Sequence, residues 1–360
     1  MRFRRIGAAG LRARWRGLRG RWRGLPVRRP AVRAAAAVLA AAVVAALLAV
    51  AGCAAALRLE YAGDPSAEAR TRGRDAVWLG HAWVDGRRGE ADLTALAARL
   101  DGTGVHDLYV HTGPLEHDGS LRAGLAPRAA RFVADVHRRL PGIRVQAWLG
   151  DEVEPEKDAL DLDRADVRER VAGSARQTLA LGFDGVHLDL EPVRSGSAGF
   201  LALLDGVHAV TAAAGVPLSV AAPQIDPLPG LHRVGVVAAG HGKWWSQAYF
   251  GRVAARVEQI AVMTYDTAMP VEALYGGYVA QQTGLALAAT PAGVDLLIGL
   301  PAYREDTFSH RGSAETVAAA VRGARLALGG RDRQAFGLAL YVDYTATPAD
   351  WAAYRGGWCA

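Results

Sequence analysis

Residues 183–192 read FDGVHLDLEP and predict a β-strand with two different faces. Apolar side chains at positions 186, 188 and 190 alternate with the ionisable side chains of His187, Asp189 and Glu191. This period of two is typical of a strand, because successive side chains point to opposite sides of it. Three ionisable groups at i, i+2 and i+4 are more than a solvated strand face needs.

The surroundings of this strand indicate that its polar face lines a cavity. The chain alternates strands with helices, and strands in such chains are normally covered on both faces. Asp and Glu are rarely buried without a partner or a task. Pro192 ends the strand and leaves Glu191 at its carboxyl end, where parallel α/β folds place their chemistry.

Eight strand–helix units follow one another between residue 76 and the carboxyl terminus. This number predicts an α/β fold, a (β/α)8 TIM barrel, although a doubly wound sheet with seven strands would look similar. Predicted helices cover residues 90–100, 127–139, 163–181 and 197–214, and a last short helix begins after Thr347. The predicted strands are 76–84, 106–111, 143–149, 185–191, 217–224, 259–267, 294–303 and 336–344.

The fourth predicted strand resembles the DxxDxDxE signature of glycoside hydrolase family 18, the chitinase-like TIM barrels. Asp184, Asp189 and Glu191 match this signature, and His187 stands where the family usually has its middle Asp. The resemblance implies hydrolysis of β-linked N-acetylglucosamine polymers with retention of configuration.

Two further motifs extend the resemblance over roughly residues 76–351. The sequence VMTYD at 262–266 resembles the family's MxYD on strand six. The sequence LIGLPAY at 297–303 resembles its GLPxY on strand seven.

The resemblance implies a role for each matching residue. Glu191 would protonate the leaving oxygen, and Asp189 would orient the substrate's acetamide, whose own oxygen attacks the anomeric carbon. Tyr265 would hydrogen-bond the acetamide oxygen, and Asp266 would contact the sugar. The spacing supports this independently, because Asp189 and Glu191 point the same way, roughly 6–7 Å apart on one strand. A nearby carboxylate raises its neighbour's pKa and keeps a general acid protonated near neutral pH.

The expected partner is a glycan that contains N-acetylglucosamine, without a cofactor, a bound metal or a nucleic acid. The catalytic candidates are Glu191, Asp189 and Tyr265. The candidate substrate-binding residues are Asp184, His187, Asp266, Gln224, Tyr303, Tyr341, Trp148 and His111.

His187 is expected to couple to Asp189. A carboxylate neighbour should raise the imidazole pKa above its ordinary ~6.5, so that the cation holds Asp189 ionised. A neutral His187 could instead hydrogen-bond Asp189. Two outcomes stay open, an active site with altered pH dependence and an inactive, carbohydrate-binding barrel.

Two other interpretations of the motif also stay open. The ionisable residues could form a buried polar cluster that only holds the barrel together. His187, Asp189 and Glu191 could also ligate a divalent ion in a metal-dependent hydrolase. Three ligands on one strand face rarely converge without help from neighbouring strands, so the metal site is the weaker hypothesis.

The positive net charge belongs to the amino terminus and not to a nucleic-acid-binding domain. Twelve Arg lie within residues 1–33, and the first acidic residue is Glu60. Because the whole chain carries +6, subtracting these twelve leaves −6 for the remainder. Residues 1–33 are therefore interpreted as a basic cytoplasmic tail.

Residues 34–57 carry no charge and predict a membrane segment. A helix of this length would reach roughly 36 Å, enough to span a bilayer core, and the Arg before it favours an extracytoplasmic domain. It could be an uncleaved signal anchor, a lipoprotein signal with Cys53 as the lipidated residue, or a cleaved signal. Residues 58–74 are interpreted as a linker, and residues 75–360 as the barrel.

Two connections between predicted strands differ from an ordinary helix. Residues 227–257 form a Gly-rich insertion, and its Trp244, Trp245 and Tyr249 could stack on sugar rings or anchor the loop on the barrel. Only residues 304–334 separate strands seven and eight, where many chitinases carry an extra domain that walls the groove. A shallower, more open cleft is expected.

Overall fold

The computed structural model describes residues 29–233 and 242–360. Residues 1–28 of the predicted basic tail, and residues 234–241 of the predicted insertion, lie outside these ranges. The chain divides into two compact units, Met1–Ala55 and Ala56–Ala360.

Eight parallel strands close into a barrel in the second unit, which confirms the TIM barrel and excludes the doubly wound sheet. The order around the barrel is β1-β2-β3-β4-β5-β8-β9-β10, and β10 pairs with β1. A separate pair, β6 with β7, lies outside the barrel. The strands are β1 (Asp75–Leu79), β2 (Val105–His111), β3 (Arg144–Glu152), β4 (Gly185–Glu191), β5 (Leu218–Ala222), β6 (Gln224–Ile225), β7 (Trp244–Trp245), β8 (Gln259–Val262), β9 (Asp295–Pro301) and β10 (Phe336–Tyr341).

Helices follow the strands and cover the outside of the barrel, where their apolar faces meet the outward side chains of the strands. They are α2 (Glu90–Leu100), α3 (Ala129–Arg139), α4 (Ala165–Leu179), α5 (Ala198–Ala214), α6 (Gln247–Ala254), α7 (Glu272–Ala289), α8 (Val317–Leu328) and α9 (Pro348–Tyr354). A further helix, α1 (Arg29–Glu60), precedes β1 in the chain.

The ends of these helices follow from local chemistry. The Ser197 hydroxyl accepts the Phe200 N–H at 3.1 Å and starts α5, and Gly215, with φ of 68°, ends it in the left-handed conformation. Thr347 and Asp350 form a reciprocal capping box at the start of α9, as the Thr-Pro pair predicts.

A polar layer closes the barrel at the amino ends of its strands. Asp107 accepts two hydrogen bonds from Arg144, at 2.8 Å each, and further bonds from Gln146 and Gln259. Burial would raise the pKa of Asp107, but bonds from His106, Arg144 and Gln146 lower it to about 2. At this end the barrel interior is therefore filled by hydrogen-bonded side chains.

The chain between α1 and β1 packs against the barrel instead of forming a free linker. Tyr61 donates to Glu272 on α7 at 3.3 Å, and the Arg322 guanidinium lies 5.0 Å over its ring. Arg325 on α8 donates to the carbonyls of Ser66 and Ala69. Residues 61–69 thus belong to the compact unit that contains the barrel.

Within the described residues, one helix is long and apolar enough to cross a membrane. It covers Arg33–Glu60 of α1, with a mean hydropathy of 2.7. Length and composition alone support this statement, and a signal sequence near the amino terminus has the same properties.

Candidate active site

β4 brings Asp189 and Glu191 to the carboxyl end of the barrel. Glu191 is its last residue, and Asp189 lies half-buried one repeat below it. Trp148 on β3 donates its indole N–H to Asp189 Oδ2 at 3.0 Å. Gly150 packs closely on β4, because a Cβ there would lie 3.1 Å from the Asp189 carbonyl oxygen.

The two carboxyl groups have different affinities for a proton. Loss of hydration, together with the charges of Asp189 and Asp266, raises the pKa of Glu191 to about 8. Burial raises the pKa of Asp189 to about 6, and the bond from Trp148 opposes that shift. Near neutral pH this pair therefore contains a protonated Glu191 and an ionised Asp189.

Three tyrosines form an aromatic wall beside the carboxyl groups. Tyr265 stacks on Tyr341 at a centroid distance of 5.3 Å, and Tyr303 meets both rings edge-on. The Tyr265 hydroxyl is buried and has no hydrogen-bond partner within the described residues. Asp189 Oδ1 is likewise buried and unpaired there. Native proteins rarely leave such groups unsatisfied, so both atoms are available to a ligand.

Asp266 follows β8, directly after Tyr265. Its Oδ1 accepts the Tyr303 hydroxyl at 2.8 Å, and about half of its side chain is exposed. Its φ of 57° is in the left-handed region, which is uncommon for a residue other than glycine. Lys243 donates to its carbonyl at 2.7 Å.

The mouth of the barrel next to Glu191 forms a cavity of about 600 Å³. Burial, and then the charge of His81, lower the pKa of His111 in its wall to about 4, so the imidazole is neutral. The lining includes His111, Pro114, Trp148, Gly150, Asp151, Glu152, Asp189, Glu191 and Pro192.

His187 does not reach this cavity, and the expectation that it couples to Asp189 is wrong. It is fully buried and stacks on Tyr109 at 3.8 Å. Trp78 donates to its Nε2 at 3.1 Å, so Nδ1 carries the proton and donates to the Ser219 hydroxyl at 2.8 Å. Burial lowers its pKa to about 3, the opposite of the expected direction. His187 is therefore a neutral core residue that does not contact substrate.

Asp184 was predicted to bind substrate, but it lies far from the mouth of the barrel. It precedes β4 at the amino end of the barrel, the end opposite to Glu191. There its Oδ2 accepts His137 Nε2 at 2.7 Å and the Val145 N–H at 2.8 Å. It ties α3 and β3 to the start of β4.

Gln224 supports the aromatic wall from behind. Its amide donates to the carbonyls of Met263 and Tyr265, at 3.1 and 2.5 Å. Its Oε1 is buried without a partner among the described residues. Gln224 thus fixes the backbone that carries Tyr265.

The aromatic residues of the insertion anchor their loop on the barrel. Trp245 and Tyr249 are buried, and they donate to the carbonyls of Val193 and Ser197. Trp244 donates to the Tyr278 hydroxyl at 2.8 Å. For Trp245 and Tyr249 the structure supports anchoring, since these buried rings have no free face for a sugar. Trp244 is half-buried.

Sequence reasoning missed part of the site. Asp151 and Glu152 line the cavity because β3 continues to Glu152, beyond the predicted end at 149. The consecutive acids directly after the predicted strand could have indicated this. His310 and Glu315, both fully buried behind Asp266, were also missed, since neither belongs to a recognisable motif.

No group of three or more His, Cys, Asp or Glu side chains is placed to hold a metal ion within residues 29–233 and 242–360. Both ring nitrogens of His187 are hydrogen-bonded, to Trp78 and to Ser219, so His187 does not join Asp189 and Glu191 as a ligand. The metal-dependent interpretation therefore has no support from the arrangement of these side chains.

No protein-family model matches the sequence, and no curated protein matches it either. Solved structures share the barrel fold at low sequence identity. The spore cortex-lytic enzyme SleL of Bacillus megaterium QM B1551 is 13% identical, with a TM-score of 0.56, over 80% of this chain and 75% of that chain.

Two chitinases are similar to the same extent. The class V chitinase of Pseudomonas fluorescens Pf-5 is 16% identical, with a TM-score of 0.51, over 79% of this chain and 98% of its own. The Group IV chitinase of Ostrinia furnacalis is 14% identical, with a TM-score of 0.52, over 79% and 99%. At these identities the likeness shows a chitinase-like (β/α)8 barrel fold.

Proposed function

We propose that this protein is a glycoside hydrolase that cleaves glycans containing β-linked N-acetylglucosamine, with the substrate's acetamide as nucleophile. The observation that carries the proposal is a pair of buried polar atoms without partners, Asp189 Oδ1 and the Tyr265 hydroxyl, near the protonated Glu191. One is an acceptor and the other a donor, so together they complement the N–H and C=O of an acetamide.

The residues would act in the following order. Glu191 gives its proton to the glycosidic oxygen while the bond from that oxygen to the anomeric carbon breaks. The acetamide oxygen bonds to the same carbon from the other face, and an oxazolinium ion forms. Asp189 accepts the acetamide N–H through Oδ1 and offsets the positive charge, and the Tyr265 hydroxyl orients the acetamide oxygen.

Water completes the reaction. The Glu191 carboxylate removes a proton from the water that attacks the anomeric carbon, so the acid of the first step is the base of the second. The oxazolinium ring opens, and configuration is retained after two displacements. Asp266 and the Tyr303 hydroxyl bonded to it would contact the sugar.

We further infer that the barrel is held at the outer face of a membrane by α1. The apolar helix Arg33–Glu60 and the Arg residues before it support this orientation. Lipidation at Cys53 and retention of the helix as an anchor both give this location. The substrate would then be an extracytoplasmic glycan, such as chitin fragments or a cell-wall polymer.

Incubation of the full-length protein in detergent with chitin oligomers and with peptidoglycan tests the activity. Mass spectrometry should find shorter oligomers that end in reducing N-acetylglucosamine. Fully de-N-acetylated oligomers of the same length are the control, since they lack the nucleophile and should not be cleaved. Binding of chitin oligomers without cleavage would contradict the proposal and favour a non-catalytic carbohydrate-binding barrel.

A further inference from the structure

A loop between β9 and α8 packs behind Asp266, on the side away from the cavity. This backing loop, residues 304–315, contains the fully buried His310 and Glu315. Gly312 keeps it closed, because a Cβ there would lie 2.3 Å from the Arg304 carbonyl oxygen. The loop thus forms a compact support close to a residue that we assign to the sugar site.

The backing loop holds the backbone that follows Asp266. The Glu315 carboxylate accepts the Thr267 N–H with both oxygens, each at 3.2 Å. The Ser309 carbonyl accepts the Ala268 N–H at 2.6 Å. Asp266 and Ala268 both have φ in the left-handed region, at 57° and 55°. Because such a backbone costs free energy, it persists only where surrounding contacts determine it.

The loop also contacts the side chain of Asp266. His310 Nδ1 lies 3.4 Å from Asp266 Oδ1 and 3.3 Å from Glu315 Oε2. Its ring stacks at 4.2 Å on Tyr303, whose hydroxyl donates to the same Asp266 oxygen. His310 therefore lies between two carboxylates and behind the tyrosine that binds one of them.

We propose that His310 and Glu315 are positioning residues that hold the Asp266 carboxylate toward the reacting sugar, an inference that rests on the proposed function. Glu315 sets the backbone after Asp266. The His310 ring packs on Tyr303 and against the carboxylate, although neither ring nitrogen makes a hydrogen bond among the described residues. Neither residue lines the cavity next to Glu191, so each acts through Asp266.

The charged environment of Asp266 is consistent with this role. The Tyr303 hydroxyl and the His310 ring lie against its carboxylate, and Lys243 donates to its backbone carbonyl. The charge of Asp266 is in turn one cause of the raised pKa of Glu191. A displaced Asp266 would therefore change both the contact with the sugar and the acid.

A double-mutant cycle separates positioning from ordinary loop stability. Glu315→Ala and His310→Ala should each lower kcat/KM by up to roughly 100-fold, since small misplacements at a reacting centre have effects of this order. In an Asp266→Ala background the same substitutions should cost less than about threefold, because their target is absent. If each substitution lowers kcat/KM by the same factor in the Asp266→Ala background as in the wild type, the proposal is overturned.

Two further variants show whether lost stability explains the result. Glu315→Gln keeps an oxygen for the Thr267 N–H and should retain more activity than Glu315→Ala. Asp75→Asn is the matched control, because Asp75 is also a fully buried carboxyl group but lies at the amino end of β1. It should lower Tm without changing kcat/KM. If Asp75→Asn lowers kcat/KM as much as Glu315→Gln does, then lost stability and not positioning explains the loss of activity.

A crystal structure of the Glu315→Ala protein tests the inference without reference to activity. We expect the Asp266 carboxylate to leave the Tyr303 hydroxyl, while Asp189 and Glu191 stay in place. An Asp266 that keeps its position and its bond to Tyr303 would overturn the proposal. Failure of the wild-type protein to cleave any glycan would contradict the proposed function, but this structural result would still decide the positioning role.

Discussion

Asp189 and Glu191 show how one strand gives two carboxyl groups different chemistry. Both point to the same side of β4, but Asp189 accepts an indole N–H and Glu191 is surrounded by other carboxylates. Burial favours the protonated form of both groups; the hydrogen bond from Trp148 opposes this effect at Asp189, whereas the nearby negative charges add to it at Glu191. The site thus contains a base-like and an acid-like carboxyl group at one pH.

The pH dependence of catalysis should follow from these two groups. As pH rises through the Glu191 pKa of about 8, the acid loses its proton and kcat/KM should fall. As pH falls through the Asp189 pKa of about 6, that carboxylate becomes neutral and kcat/KM should fall again. Initial rates with a chitin oligomer between pH 4 and 10 should therefore give a bell-shaped profile. A rate that keeps rising above pH 9 would contradict the role of Glu191.

His187 should matter for stability and not for this profile. His187→Ala removes partners from the Trp78 N–H and the Ser219 hydroxyl, and leaves a cavity beside Tyr109. The expected loss is about 2–4 kcal/mol in the free energy of unfolding. Denaturant titration measures this loss, and the acidic limb of kcat/KM against pH should stay in place. A shift of the acidic limb in His187→Ala would show that His187 does couple to Asp189.

These residues also show how far the sequence predicts the site. The alternation along β4 identifies Asp189 and Glu191, because the period of two depends only on local geometry. The environment of His187 depends on Trp78 and Ser219, which are distant in the chain and become neighbours only when the barrel closes. The direction in which each side chain of β4 points was predictable, but the depth at which it lies within the barrel was not.

At the scale of elements, two of the three glycines in α7 have different surroundings. A Cβ at Gly277 would lie 1.9 Å from the Leu57 carbonyl oxygen, whereas a Cβ at Gly284 would meet nothing within 4 Å. Gly277 therefore permits close packing between α7 and the carboxyl-terminal end of α1. Gly284 offers a matched control in the same helix.

Substitution of these glycines should have opposite effects. Gly277→Ala should loosen residues 57–69 from α7 and α8, and speed trypsin cleavage after the exposed Arg58 and Arg70. Gly284→Ala should be neutral or stabilising by up to about 1 kcal/mol, as alanine favours a helix more than glycine does. Cleavage rates of the folded protein measure both effects. Equal protection of residues 57–69 in the two variants would show that this packing does not depend on Gly277.

The elements were predictable where local pattern determines them. All eight barrel strands were predicted from apolar runs between helices, although the predicted fifth strand, 217–224, is divided at residue 223 into β5 and β6. The packing of residues 61–69 was not predictable, because Arg322 and Arg325, which hold them, lie more than 250 positions away. A polar, irregular sequence looks the same in a free linker and in a packed segment.

At the scale of the whole molecule, the central question is on which side of a membrane the barrel lies. Protease added to intact cells should digest the barrel and spare the first 33 residues, because the Arg-rich end is expected to stay inside. Cys53→Ser should release or mislocalise the protein only if a lipid anchors it. A barrel that resists protease until the cells are lysed would contradict the outward orientation.

Hydrolysis of a chitin oligomer by the wild-type and Glu191→Gln proteins tests the assignment of the general acid most directly. Glu191→Gln should lower kcat by on the order of 10²–10⁴ and leave the oligomer's Kd within about threefold, since the amide keeps the shape but has no proton to give. The variant should be at least as heat-stable as wild type at pH 8, because folding disfavours the ionised form of Glu191 above its ordinary pKa of ~4.3. Asp184→Asn, in the same motif but at the other end of the barrel, should keep wild-type kcat/KM. A Glu191→Gln protein that turns over the oligomer like wild type would contradict the account.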